Sequence, residues 1–157
     1  MAVLDSLIAR HGHVVLVPMH MGEDPALCRQ LRAESRHPDA VHVLDSDGLS
    51  PTEFAAVLSK ARLVVAFRLH AGIVASSVGV PTVTYFYVDK GRLFTEQLGT
   101  SAYTRPIERM LDADLLVDFV QMETNVLSDH MTQKSAQERL ADMREDVHRA
   151  FRAAVTS

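Results

Sequence analysis

One cysteine, Cys28, is the whole thiol content of this 157-residue chain, so no internal disulfide can form. That scarcity suits a reducing compartment. Long apolar runs are missing too: none approaches the roughly 18 residues that cross a bilayer. Basic residues are not in excess, with 16 Lys and Arg against 20 Asp and Glu and a net charge of -4. Nucleic acid and anionic membranes therefore have no bulk electrostatic reason to bind, although a local basic pocket stays possible. The chain also lacks Gly-x-Gly-x-x-Gly, a Walker A loop and a Gly-x-Ser-x-Gly elbow. Those absences disfavour a dinucleotide dehydrogenase, a P-loop NTPase and an α/β-hydrolase. Met1-Ala2-Val3-Leu4-Asp5-Ser6 lacks the basic-then-apolar layout of a signal peptide, so a soluble cytoplasmic protein is expected.

What is present is ordinary for a globular domain: 47% hydrophobic and 23% charged residues, enough to bury a core without staples. Helical spacing of Val3, Leu4, Leu7 and Ile8 predicts a helix over 2–11, stopped by Gly12. Val14-Val15-Leu16-Val17, ended by Pro18, predicts a strand buried on both faces. Asp24-Pro25 reads as an N-cap with proline just inside a helix running to about Glu34. Val41–Leu44 predicts a second strand. Ser50-Pro51-Thr52-Glu53 has capping-box spacing, with Phe54, Val57 and Leu58 as the following helix's apolar face. Leu63–Phe67 and Thr82–Tyr87 are the third and fourth strands. Between them lies a small-residue helix, His70 to Val78. Further helices are expected at about 90–98, after Asp112-Ala113-Asp114 with Leu115, Leu116, Phe119 and Val120 inward, and at about 135–155. The last has a capping box at Ser135 and Glu138. Its Leu140, Met143, Val147, Phe151 and Val155 form one buried stripe. Strands alternating with helices imply an α/β domain with a parallel sheet and helices on both faces. No repeat, low-complexity tract or linker divides it, so residues 1–157 read as a single domain.

Ligands of open parallel sheets bind at the carboxyl ends of the strands. That rule picks out Met19 to Asp24 after the first strand, Arg68-Leu69-His70 after the third, and Val88-Asp89-Lys90 after the fourth. Arg68 and His70 are the most informative pair. A buried arginine without a partner costs several kcal/mol, because its charge loses water and gains nothing in return. A bound anion would supply the partner, and the following helix would point its N–H groups and positive end at the same place. Ala71, Gly72, Ala75, Ser76 and Ser77 keep that helix slim, so a ligand can approach. Equally, Arg68 could pair with a local carboxylate while His70 caps the helix. Lys90 is either a second positive charge in the same cleft or a solvated first-turn lysine. Tyr87 is either a ligand hydrogen-bonder or a core aromatic. His20 with Glu23 and Asp24 is a weak metal candidate, since acids there cap helices. The other histidines, His11, His13, His37, His42, His130 and His148, lack ligand spacing and read as surface or packing residues. Cys28 reads as core.

The stretch Ala61-Arg62-Leu63-Val64-Val65-Ala66-Phe67-Arg68-Leu69-His70-Ala71, then Gly79-Val80-Pro81, then Tyr87-x-x-Lys90, then Leu98-Gly99, resembles the signature region of the polysaccharide pyruvyl transferases. The family often has Tyr-Asp-Pro-Lys where this chain has Tyr87-Val88-Asp89-Lys90. The resemblance implies a Rossmann-like three-layer domain with a parallel sheet, like the C-terminal domain of a GT-B fold. The N-terminal half that binds the sugar would precede it, and the chain alone would have little or no activity. It further implies transfer of pyruvate from phosphoenolpyruvate, the donor substrate, to a sugar or polysaccharide acceptor as a ketal, with no cofactor. Arg68 and His70 match the family's donor-holding arginine and histidine, His70 being the catalytic candidate. Lys90 matches the downstream lysine, and Tyr87 opens the same motif as a further substrate-binding residue. Two other classes fit the architecture: the donor-binding half of a nucleotide-sugar glycosyltransferase, and a non-catalytic anion-binding domain. Against the former, no Glu-x7-Glu pair follows the third strand. The face for the other half should be apolar, and self-association through it is expected.

Overall fold

Short β-branched runs set between capped helices fold as the alternation requires. The computed structural model describes residues 1–155, with side chains through residue 153. In chain order the elements are α1 (Ala2–His11), β1 (Val14–Leu16), α2 (Asp24–Glu34), β2 (Val41–Val43), α3 (Pro51–Leu58), β3 (Val64–Ala66), α4 (Leu69–Ser77), β4 (Thr82–Phe86), α5 (Asp89–Leu98), β5 (Thr104–Pro106), α6 (Leu115–Ser128) and α7 (His130–Val155). Every strand pairing among them is parallel. The molecule is a Rossmann-like α/β domain.

The strands hydrogen-bond as two parallel sheets, β1-β2 and β3-β4-β5, where the sequence suggests a single one. Val14 lies opposite Val41 in the first, and Val64 opposite Thr82 and Thr84 opposite Thr104 in the second. Helix α1 packs on both. Its Val3 joins Val83, Tyr85, Phe119 and Met122 in the largest core cluster, while Leu4 and Ile8 pack with Val41. On the opposite face Leu58 of α3 and Ala75 of α4 close over Val80. Alternation along β4 sorts these layers. Val83 and Tyr85 face α1 and α6, and Thr84 faces α4.

Helix α1 is also held to α6 by charge. The wholly buried Glu123 takes Arg10 Nε at 2.7 Å and meets His11 Nε2. A buried carboxylate needs such partners, because ionised oxygens out of water are costly. Glycine matters at α5 for a different reason. A Cβ on Gly91 would sit 2.6 Å from Cβ of Phe86, so α5 can lie this close to β4 only with hydrogen there.

Several expectations need correction. Strand β1 is not covered on both faces, since Val15 is half exposed. In α3, Val57 sits at the surface and only Leu58 is fully buried. Asp24 is the first residue of α2 rather than its cap, and Glu23 before it makes no side-chain capping bond. Asp112 and Asp114 do not cap α6 with their side chains; both carboxylates bond Arg109 instead. Leu116 is exposed. Helix α7 begins five residues early, behind Asp129, whose Oδ1 accepts the Thr132 N–H at 2.9 Å. Ser135 and Glu138 therefore lie inside it. Its stripe is buried only in part, because Val147 is 65% and Phe151 69% exposed; Val155 lies outside the residues whose side chains are described. The Ser50–Glu53 capping box forms as expected, and Cys28 is buried.

Two tests follow from these contacts. Gly91→Ala is expected to lower the thermal midpoint, because overpacking of about 1–3 kcal/mol exceeds the about 1 kcal/mol of helix propensity gained. Gly72→Ala should be neutral or stabilising, since its new Cβ would meet Thr84 Oγ1 and Ala66 Cβ at 3.6 and 3.8 Å, ordinary contact distances. Equal losses in the two variants would contradict this packing. The second test concerns Asp129. Hydrogen bonds from Thr132 and Tyr103 hold its carboxyl down at about 2, against an ordinary 3.8. A depressed carboxyl stabilises the fold above its unfolded value and loses that contribution as pH falls toward its folded one. Wild type should out-melt Asp129→Asn by a few degrees near neutral pH. That gap should close between about pH 4 and pH 2 in melts followed by circular dichroism, and a constant gap would refute the assignment.

Candidate functional site

The carboxyl ends of β1 and β3 meet through one ion pair. After β1 the chain makes a tight turn, in which the N–H groups of Glu23 and Asp24 both bond the His20 carbonyl. That turn carries Asp24 back over the loop, and its Oδ2 accepts the N–H groups of Met19 at 3.0 Å and His20 at 2.8 Å. The other oxygen, Oδ1, takes Arg68 Nη2 at 2.7 Å. Arg68 follows β3 and is the N-cap residue just before α4. Its neighbour Phe67 stacks on the buried Tyr85, with ring centroids 5.6 Å apart and planes 15° apart, which fixes the end of β3. The second arm of the guanidinium, Nη1, lies 3.4 Å from the Tyr87 hydroxyl.

Electrostatics of the pair run one way. Burial alone would raise the Asp24 carboxyl, but the bonds from Arg68, Met19 and His20 and the Arg68 charge outweigh it and hold the carboxyl below its ordinary value. The bonds to Asp24 and Tyr87 raise the arginine further above its own. Both groups therefore stay charged across the ordinary pH range. The arginine side chain is 35% exposed and the aspartate 16%, so the guanidinium remains open to a ligand while its partner is mostly enclosed.

Of the four residues singled out from sequence, the structure brings Arg68 and Tyr87 together. Tyr87 lies just past β4 and is 52% exposed, so it is not a core aromatic. His70 is the second residue of α4 and exposed; it does not cap the helix. Lys90 is the second residue of α5 and exposed. No side-chain bond links His70 or Lys90 to Arg68 among the described residues. The carboxylate alternative holds for one arm of Arg68. Sequence reasoning placed Asp24 at this edge but read it as a cap; the pairing spans 44 positions, and nothing local announces it.

The slim α4 serves the sheet behind it, since Gly72 is buried against Thr84 and Ala66. A small, partly open cavity of about 30 Å³ lies on that side, lined by Gly72, Thr84, Thr95, Leu98 and Tyr103, and has room for about one water. Its lining includes none of Arg68, His70, Tyr87 and Lys90. In the segments that follow β1, β3 and β4, Met21, Phe67, Tyr87 and Val88 are exposed. Elsewhere, His13 Nδ1 and His42 Nε2 lie 3.2 Å apart, a contact that their sequence spacing hid. Among the described residues no group of three or more His, Cys, Asp or Glu is placed to hold a metal ion. None of the described helices is long and apolar enough to cross a membrane.

Fold and site together define a Rossmann-like domain whose carboxyl edge displays a fixed, half-open arginine. Residues 1–89 match the family model of the polysaccharide pyruvyl transferases, more than half of the chain. The chain belongs to that family. The matched span contains Asp24, Arg68, His70 and Tyr87, and stops one residue short of Lys90. No curated protein and no solved structure matches the chain.

If Tyr87 lies at the surface beside Arg68, removing its hydroxyl should cost the fold little. Tyr87→Phe is expected to change stability by no more than about 0.5 kcal/mol, as for surface substitutions generally, in urea unfolding. A loss several times larger would mean that the 3.4 Å contact organises the edge.

Proposed function

We propose that this chain is the donor-binding half of a polysaccharide pyruvyl transferase, moving the pyruvyl group of phosphoenolpyruvate onto a pair of sugar hydroxyls. The observation that supports it most is the Arg68 guanidinium, held from one side by Asp24 and open on the other, inside the segment matched to the family. Phosphoenolpyruvate carries a carboxylate and a phosphate, and a planar guanidinium suits either. The N-terminus of α4 adds its N–H groups and positive end at the same edge. Lys90 supplies a second positive charge, and Tyr87 a hydroxyl beside Arg68.

The reaction balances as follows. A proton adds to the methylene carbon of the donor, which becomes a methyl group, and the neighbouring carbon turns electron-poor. One sugar oxygen bonds to that carbon. The bond from the same carbon to the phosphate oxygen breaks, and the second sugar oxygen takes its place. Two hydroxyl protons are released. One makes good the proton taken up by carbon, and the other leaves with hydrogen phosphate. His70 is the residue assigned to proton transfer, since an imidazole both gives and takes a proton near neutral pH. The scheme calls for no cofactor. On this reading the domain is one half of a GT-B-like enzyme. The apolar residues Met21, Phe67, Tyr87 and Val88 then lie where a sugar-binding half, or a second copy, would close over the edge.

Calorimetric titration of the chain with phosphoenolpyruvate and with UDP tests this. Heat is expected with phosphoenolpyruvate and none with UDP. Arg68→Ala should weaken binding roughly 10- to 100-fold, as loss of a charged hydrogen bond does. Lys90→Ala should cost less than about fivefold, as for an exposed charge. Heat only with UDP would favour a glycosyltransferase, and silence with both would remove the donor site.

A further inference from the structure

We infer that Asp24 is the positioning residue of the anion site. It sets the Arg68 guanidinium so that Nη1 faces the open edge beside Tyr87. The inference rests on the donor-site reading of Arg68. Three facts carry it. Asp24 engages Arg68 Nη2 at 2.7 Å, the shortest contact at this edge. Its other oxygen is occupied by two backbone N–H groups, so the carboxylate is anchored to the loop after β1 and cannot swing aside. It is also more enclosed than its partner, 16% against 35% exposed.

An anchored carboxylate differs from a competing one. A loosely held aspartate would be displaced by an incoming anion, and its removal would tighten binding. Displacing Asp24 would strand two N–H groups and a carboxylate, each costing free energy when left unpaired. It therefore stays in place when the ligand arrives. A free arginine side chain carries about 2 kcal/mol of rotamer entropy. Holding one arm removes part of that cost before binding, which is how preorganisation raises affinity.

The variant Asp24→Asn keeps the shape and one acceptor but loses the charge and the second acceptor. Asp24→Ser keeps a hydroxyl that can accept a loop N–H yet falls short of Arg68, so it separates support of the loop from contact with the guanidinium. Two readouts apply to the whole chain. Nitrogen-15 spectra of the arginine side chains, assigned with Arg68→Ala, report whether rotation about the Arg68 Nε–Cζ bond is slowed and gives separate Nη signals. Titration with phosphoenolpyruvate reports affinity. Wild type should show separate signals; both variants should merge them and weaken binding about tenfold, as for one charged hydrogen bond. Signals that stay separate in both variants, or affinity that is unchanged or tightened, overturn the assignment. Absence of phosphoenolpyruvate binding in wild type overturns the donor reading instead, and the spectra then decide the role of Asp24 alone.

Discussion

Asp24 and Arg68 meet where two separately hydrogen-bonded sheets would otherwise end as independent edges. Each residue follows a strand, one in each sheet, and the ion pair joins the segments that leave their carboxyl ends. The pair is neither a screened surface contact nor a sealed buried one. At the surface such a bond contributes little; fully enclosed, its desolvation would rival its attraction. With the carboxylate mostly covered and the guanidinium a third open, the cost of desolvation falls on the aspartate. That residue recovers it through three donors, and the arginine keeps a solvated arm for other use.

The rest of the architecture converges on the same edge. Parallel strands need crossover helices, and each helix after a strand begins at the carboxyl side of the sheet. Helices α2, α4 and α5 therefore all begin there, with Asp24 in the first turn of α2, His70 in that of α4 and Lys90 in that of α5. Below the edge, Glu123 locks α1 to α6, and α1 in turn spans both sheets. Gly91 lets α5 settle onto Phe86, which fixes the height of the turn holding Lys90.

How much of this was legible depended on range. Capping and periodicity act over three or four residues, so the Ser50–Glu53 box and most helix limits could be read directly. Strand β5 could not, because Thr104-Arg105-Pro106 has neither alternation nor a β-branched run; it forms through pairing with β4. The start of α7 was misplaced because Asp129 caps it with a single carboxylate, and the Ser135–Glu138 spacing offered a more conspicuous pattern. Its apolar stripe announced a helix correctly but carried no information about cover, and Val147 and Phe151 lie exposed. Arg68 was found because a charged residue at a strand end is conspicuous. Its partner was not, because pairing across 44 residues is a product of the fold.

The pairing also changes what the site demands of its ligand. Arg68 and Asp24 together carry no net charge, in a chain whose formal charge is -4. On the pyruvyl-transfer reading, the charge of Arg68 alone would therefore add little net attraction for an anion at this edge. What remains is direction: a guanidinium arm fixed in place, the N–H groups at the start of α4, and the imidazole and ammonium of His70 and Lys90 in adjoining first turns. Directional donors distinguish anions by shape, and bulk charge does not. For the proposed donor, two unlike anionic groups on one planar carbon skeleton would give such directional contacts something that a monoanion lacks. On the pyruvyl-transfer reading, selectivity would then come from the rigidity of the arginine, and so from the carboxylate behind it.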